Sequence, residues 1–323
     1  ILAELIDDLR NYAKSTCAYL EVTATPYALF LQSNEGAKNN NWQPLKPTQV
    51  FDMDLYKGYV GGEYFFNTAA KQVFRPVDNA EIKVLNEQLS KNKQKRNTAI
   101  RNAFTSQYIS AFRESLLSFL VAGAIRRCTE FDYRCAQLFN ISTIQDKHAR
   151  YAKFCDDIIE ALKTCDSVTW DALLVPIFQN YAVVNVNWAD VSKRLKTDLD
   201  SGAVRTIVVD SNPNTASIAS LLDPNTGQLA LNTPYSIFIG GEAIGRGVTI
   251  DHLISFYYVR NNKNQDTSIQ HMRIFGNRSQ DDLEVTRFYT SQEIFDKLRN
   301  MYSFDQDMRK QIKAGHQIIF LRK

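Results

Sequence analysis

Three features of the chain predict an α/β fold with a mainly parallel sheet wound by helices on both faces. Short β-prone runs, RTIVVD (205–210), YSIFIGG (235–241) and ISFYYVR (254–260), alternate with helical segments through the C-terminal half. Strands that alternate with helices pair in parallel and bury both sheet faces. The middle of the chain, 79–165, is periodic like a helix instead, and reads as an α-helical insert. A length of 323 residues is enough for two domains, or for one with a large insert.

In chain order, residues 1–14 read as an amphipathic helix with Leu2, Leu5, Ile6 and Leu9 on one stripe. CAYLEV (17–22) reads as a strand that stops at Thr-Ala-Thr-Pro, since proline ends pairing. An Asn-rich loop (32–44) and a mixed stretch (48–77) centred on YVGGEYFF follow. Asp78 and Glu81 have the spacing of a helix cap and its N3 partner. A basic run, KNKQKR (91–96), leads into a long helix reaching about Arg127, with Ile100, Phe104, Tyr108, Phe112, Leu116 and Leu120 near helical spacing. A further helix is expected from Ser142-x-x-Gln145 to Leu162. YAVVNV (181–186) reads as a strand, RLKTDLDSG as a helix stopped by glycine, TASIASLL (215–222) as a helix, and DTSIQHMRIFGN as a helix ending near Gly276.

Composition excludes several classes. With 38 basic and 35 acidic residues the net charge is +3, too mild to demand a nucleic-acid partner. Five cysteines without a Cys-x-x-Cys pair, and no secretory leader, point to reduced thiols and a cytoplasmic location. Four scattered histidines predict no metal site. The longest apolar stretch, SLLSFLVAGAI (115–125), is too short to span a bilayer, so no membrane partner is expected.

Two stretches carry phosphate chemistry. In IGGEAIGRGVTIDHL (239–253) a strand runs into Gly240 and Gly241, then into Arg246-Gly247-x-Thr249. Glycines let backbone N–H groups approach an anion, while Arg246 and Thr249 add donors; equally, paired glycines make a tight turn. Ligands of doubly wound sheets bind beyond the carboxyl ends of the strands, where this loop is expected. In DTSIQHMRIFGNR (266–278), Gln270 and Arg273 share a helix face and Arg278 follows Gly276. Two arginines near one helix end suit a phosphoryl group developing charge. Thr267-x-x-Gln270 also reads as a capping box.

Taken together, Thr-Ala-Thr-Pro, Arg-Gly-x-Thr and Gln-x-x-Arg, each at a strand end, resemble the motifs of helicase-like ATPases with two RecA-like lobes. VTATPYALF, YVGGEYFF, GGEAIGRGVTIDHL and DTSIQHMRIFGNR are similar to the Z-one domain family, found in ATPase subunits of bacterial restriction and defence systems and sometimes labelled endonucleases. Met272 and Asn277 depart from that family's usual glycine and tyrosine. The resemblance implies a RecA-like second helicase lobe over 166–323, a helical insert over 79–165, and the end of a first lobe over 1–78. It implies Thr23 and Thr25 as motor-coupling residues. Gly240, Gly241, Arg246, Gly247 and Thr249 would face ATP or nucleic acid, with Gln270, Arg273 and Arg278 at the nucleotide. Lys91, Lys93, Lys95, Arg96, Arg126 and Arg127 could track a DNA backbone, or form a solvated charged face.

No Gly-x-x-x-x-Gly-Lys-Ser/Thr cradle and no Asp-Glu-x-Asp or Asp-Glu-x-His occurs in the chain. In the resembled proteins both lie N-terminal to Thr-Ala-Thr-Pro, so the resemblance implies that the chain is the C-terminal part of a DNA-dependent ATPase or translocase, using ATP and Mg in the full-length parent and inactive by itself. DNA and a nuclease or restriction subunit are the expected partners. A metal-dependent endonuclease remains an alternative, for which Asp78, Glu81 and Lys83 are the nearest cluster, although their spacing reads better as a helix cap. A non-catalytic interaction module that retains the fold is a third reading.

Overall fold

The computed structural model describes residues 50–87, 100, 102–181, 185–209, 218–245, 248–260, 268 and 272–314, with positions 5, 8, 12, 20 and 22. Leu5, Asp8 and Tyr12 are helical, but the expected N-terminal stripe and the strand at 17–22 otherwise lie outside these residues.

A two-residue strand β1 (Tyr59–Val60) leads into a π-helical segment, Glu63–Thr68, a short turn of helix, Ala70–Val73, and β2 (Phe74–Pro76). Asp78 caps helix α1 (Asn79–Asn86), accepting from the Ala80 N–H at 2.7 Å. Helix α2 (Ser110–Thr129) enters from a 3₁₀ turn, and a sharp return leads to β3 (Cys135–Asn140). Helices α3 (Gln145–Thr164), α4 (Ser167–Gln179) and α5 (Trp188–Asp200) then precede β4 (Val204–Val209). β5 (Tyr235–Gly240), β6 (Leu253–Tyr258), the short β7 (Gly276–Asn277), α6 (Gln280–Val285), β8 (Arg287–Thr290) and the long α7 (Gln292–Lys313) complete the order.

Six strands form one sheet in the order β2-β8-β6-β3-β5-β4, and every pair in it is parallel. Parallel strands need both faces covered, and β3, β5, β6 and β8 are buried at every position. Alternate residues therefore feed two separate cores. Phe139, Ile239, Tyr257 and Tyr289 meet α2, α3, α4 and α5 on one face. Leu138, Phe238, Phe256 and Phe288 meet Phe65, Phe66, Met272 and the first turns of α7 on the other. Cross-strand rings hold the register: Phe256 stacks on Phe288 at 5.5 Å and Tyr257 on Tyr289 at 6.4 Å.

The expected helical insert is corrected by this topology. Cys135–Asn140, inside 79–165, is a central strand flanked by β5 and β6, so the segment is integral to the sheet. The apolar run at 115–125 sits in a longer helical stretch, Gln107–Thr129, which is long and apolar enough to cross a membrane. Its most apolar window is 78% buried inside the protein, and a helix apolar on all sides belongs in such a core. Ile100 and Phe104 precede this stretch outside the helix.

Local signals elsewhere act as their chemistry requires. Asp166, Asn187 and Ser291 accept from backbone N–H groups at the starts of α4, α5 and α7. Gly202, at φ +71°, turns the chain out of α5 into β4. Ser142 is not the N-cap of α3: Ile144 holds that position with no side-chain cap, and Ser142 Oγ accepts from the Ile144 N–H. Of the strand expected at 181–186, Tyr181, Asn185 and Val186 are not extended in a sheet, and the rest lies outside the described residues.

Candidate functional site

Gly240 ends β5 at the carboxyl edge of the sheet and Gly241 follows it in a bend. A Cβ on Gly240 would meet the Val209 carbonyl oxygen at 2.6 Å, and one on Gly241 the Ser142 carbonyl oxygen at 2.9 Å. Both positions thus need glycine for close backbone packing. Glu242 pairs with Arg260, linking the turn after β5 to the end of β6. Further on, Val248 is buried, and Thr249 is exposed with its carbonyl accepting from the Leu229 N–H at 3.0 Å.

The segment 272–278 is not a helix end. Met272 is buried in the core on this face, Arg273 and Ile274 form a turn, and Gly276–Asn277 is β7. β7 pairs antiparallel with β1, matching Tyr59 to Asn277 and Val60 to Gly276. The YVGGEYFF stretch is therefore joined directly to the arginine-bearing turn. Asn277 is a ladder residue opposite Tyr59, with its side chain beside Gly58.

The two arginines have different surroundings. Arg273 donates from one terminal nitrogen to the Val248 carbonyl at 2.9 Å, and burial lowers the pKa of its guanidinium. Arg278 folds back on its own turn, donating from Nε to the Ile274 carbonyl at 3.2 Å and from a terminal nitrogen to the Arg273 carbonyl at 3.1 Å. Burial also lowers the Arg278 pKa, against the raising influence of Asp282 and Asp251.

A cavity of about 480 Å³ opens where these pieces meet on the sheet face. Its lining includes Gly61, Gly62 and Glu63 from the segment after β1, Val248 and Thr249 from the loop before β6, and Met272, Arg273 and Phe275. The far wall is α7, through Leu298, Tyr302, Asp305, Gln306 and Arg309. Residues from YVGGEYFF, from the Arg-Gly-x-Thr loop and from the Gln-x-x-Arg segment so converge on one space. The α7 residues escaped sequence reasoning, although Tyr302, Asp305 and Arg309 recur at helical spacing on one face. Arg309 pairs with Asp305 at 2.7 Å and with Asp52. Glu63 accepts from the Tyr302 hydroxyl at 3.2 Å and from Asn67 at 2.8 Å, and burial together with Glu63 pushes Tyr302 up to about 12.

Other expected site residues are placed elsewhere. Arg126 and Arg127 are buried on α2 and cannot track a DNA backbone. Arg126 pairs with Asp281 at 2.9 Å, and Arg127 with Asp198 at 2.8 Å. Arg278 is not among the residues lining the cavity. Thr23, Thr25, Lys91, Lys93, Lys95, Arg96, Arg246, Gly247 and Gln270 lie outside the described residues. Of the carboxylates weighed for a nuclease, Asp78 caps α1 and Glu81 is buried against backbone N–H groups. Among the described residues no group of three His, Cys, Asp or Glu side chains is placed to hold a metal ion.

The family model of the Z1 domain matches residues 111–318. No curated protein and no solved structure matches the chain.

Proposed function

The chain belongs to the Z1 domain (Z-one) family, and from that premise we propose that it supplies the arginine-bearing surface of a helicase-like, DNA-dependent ATPase. The observation that carries this reading is the meeting of Thr249 and Arg273 with the Gly61–Gly62–Glu63 segment around one cavity. In this reading the parallel sheet is a RecA-like second lobe. ATP and magnesium bind against a facing lobe, whose triphosphate cradle this chain does not encode.

Arg273 is the residue we assign to the transferring phosphoryl group. It stands at the cavity wall, and a guanidinium is planar, permanently charged and rich in donors, so it suits three equatorial phosphate oxygens. Arg278 acts one step back. Its bonds to the Arg273 and Ile274 carbonyls hold the turn that presents Arg273. A restriction or defence setting, with DNA and a nuclease subunit as partners, follows from the family resemblance.

The test is phosphate release from ATP, with and without DNA, measured in the presence of the lobe that carries the cradle. DNA should stimulate turnover, and Arg273→Ala should lower it by about 10³-fold or more. Turnover indifferent to DNA, or to Arg273→Ala, overturns the reading.

A further inference from the structure

The cavity is walled by rings as well as by charges. Tyr59 and Tyr302 sit over the Gly61–Gly62 pair: a Cβ on Gly62 would meet the Tyr302 ring at 2.3 Å, and one on Gly61 the Tyr59 ring at 2.8 Å. Two bare backbone positions are thus each covered by an aromatic side chain. Phe66 and Phe275 continue the apolar wall, their rings edge-to-face at 6.0 Å. Four aromatic residues therefore line one opening.

The polar groups among them are mixed and balanced. Glu63 and Asp305 are matched by Arg273 and Arg309, and Asp305 is already paired with Arg309. Thr249 and Gln306 add a hydroxyl and an amide, each able to donate and accept. A ligand wholly of one charge sign fits such a lining poorly. A flat ring with donors and acceptors on its edge fits it well. The volume of about 480 Å³ lies within the range of roughly 300–1,000 Å³ common to small-molecule sites. Stacking of a base on an aromatic side chain contributes about 1–3 kcal/mol and tolerates any base.

We propose that this cavity takes an unpaired nucleobase, stacked against Tyr59 and Tyr302, with the Glu63 carboxylate accepting from a ring or amino N–H. The base belongs either to a free nucleotide or to a single DNA strand; the ring chemistry is common to both. The proposal uses the same cavity as the ATPase reading and adds what occupies it, without requiring hydrolysis.

The experiment is calorimetric titration of the whole chain with three probes: adenosine, a single-stranded oligodeoxyadenylate, and inorganic triphosphate. Adenosine or the oligonucleotide should bind. Tyr302→Ala should weaken that binding by about tenfold, while Tyr302→Phe, which keeps the ring, should leave it within about threefold. Glu63→Gln should weaken it as well, with folding of each variant checked by circular dichroism. Binding of adenosine assigns the base to a free nucleotide; binding of the oligonucleotide alone assigns it to a strand. Binding of triphosphate alone overturns the proposal, as does binding of neither base-bearing probe, or an unchanged affinity in a folded Tyr302→Ala. Those outcomes leave the ATPase reading standing, since that reading is decided by turnover and Arg273→Ala.

Discussion

Glu81 caps a helix that begins about thirty residues further along the chain: its carboxylate accepts from the Phe112 N–H at 2.7 Å and from the Ala111 N–H at 2.9 Å, at the start of α2. The Tyr257 hydroxyl donates to the same carboxylate at 2.8 Å, so one buried side chain joins α1, α2 and β6. Removing it leaves three donors without this acceptor, two of them buried and one partly buried. Loss of a cap costs about 0.5–2 kcal/mol and each stranded donor about 1–3 kcal/mol. Glu81→Ala should therefore destabilise the protein by about 3 kcal/mol or more, read from the urea midpoint at constant m-value.

Arg127 and Asp198 form a buried ion pair, with the Tyr235 hydroxyl donating to Asp198 at 2.9 Å and Arg127 donating to the Tyr133 carbonyl at 2.8 Å. A buried pair of this kind contributes little net stability, yet breaking it strands a charge. Asp198→Ala should cost about 3–5 kcal/mol by chemical denaturation. Arg127→Lys should also destabilise, because an ammonium cannot reproduce the guanidinium fork.

Stability should depend on pH through His252. Its Nδ1 lies 2.7 Å from Asp282, and that hydrogen bond, with the nearby carboxylates, raises the histidine above its ordinary pKa despite partial burial. Burial pushes Asp282 up, but the bonds from His252 and Tyr133 outweigh it and the net shift is downward. A histidine raised on folding stabilises fully below its unfolded pKa, and that contribution is lost as pH rises through the folded value. Melting temperature should therefore fall as pH climbs through and above the ordinary histidine range. His252→Asn should flatten that slope; an unchanged slope in the variant would refute the assignment.

Gly123 tests how closely α2 lies on the sheet. Alanine is the better helix former by about 1 kcal/mol. At this site its Cβ would meet the Tyr235 ring at 2.3 Å and Cys135 Sγ at 2.9 Å. Overpacking of that kind costs about 1–3 kcal/mol and should prevail, so Gly123→Ala lowers stability where an exposed helical position would gain it. Thermal unfolding of the two proteins decides the sign.

Strands β4, β5 and β6 were legible because Val, Ile, Phe and Tyr crowd them and glycine or polar turns bound them. β3 was not: CAQLFN carries Gln137 and Asn140 within a segment whose surroundings are periodic like helices. Its strand character comes from β5 and β6 on either side, a tertiary cause invisible to local pattern. Asp78 was readable as a cap, whereas the helix that Glu81 serves was not, since no spacing rule spans thirty residues. At the site, YVGGEYFF and Arg273 were singled out by motif alone. That β1 pairs with β7, just past Arg273, was not legible, because two residues on each side carry no strand signal.

The β1–β7 ladder has a mechanical consequence. Arg273 stands four residues before Asn277, and Asn277 is bonded to a segment from the other end of the fold. The stretch ahead of Gly58 is itself tied to α7, Asp52 pairing with Arg309 and Lys313 and Asp54 with Lys313. The turn carrying Arg273 is thus positioned by residues remote from it in the chain, so a substitution near residue 52 can shift the guanidinium without touching it.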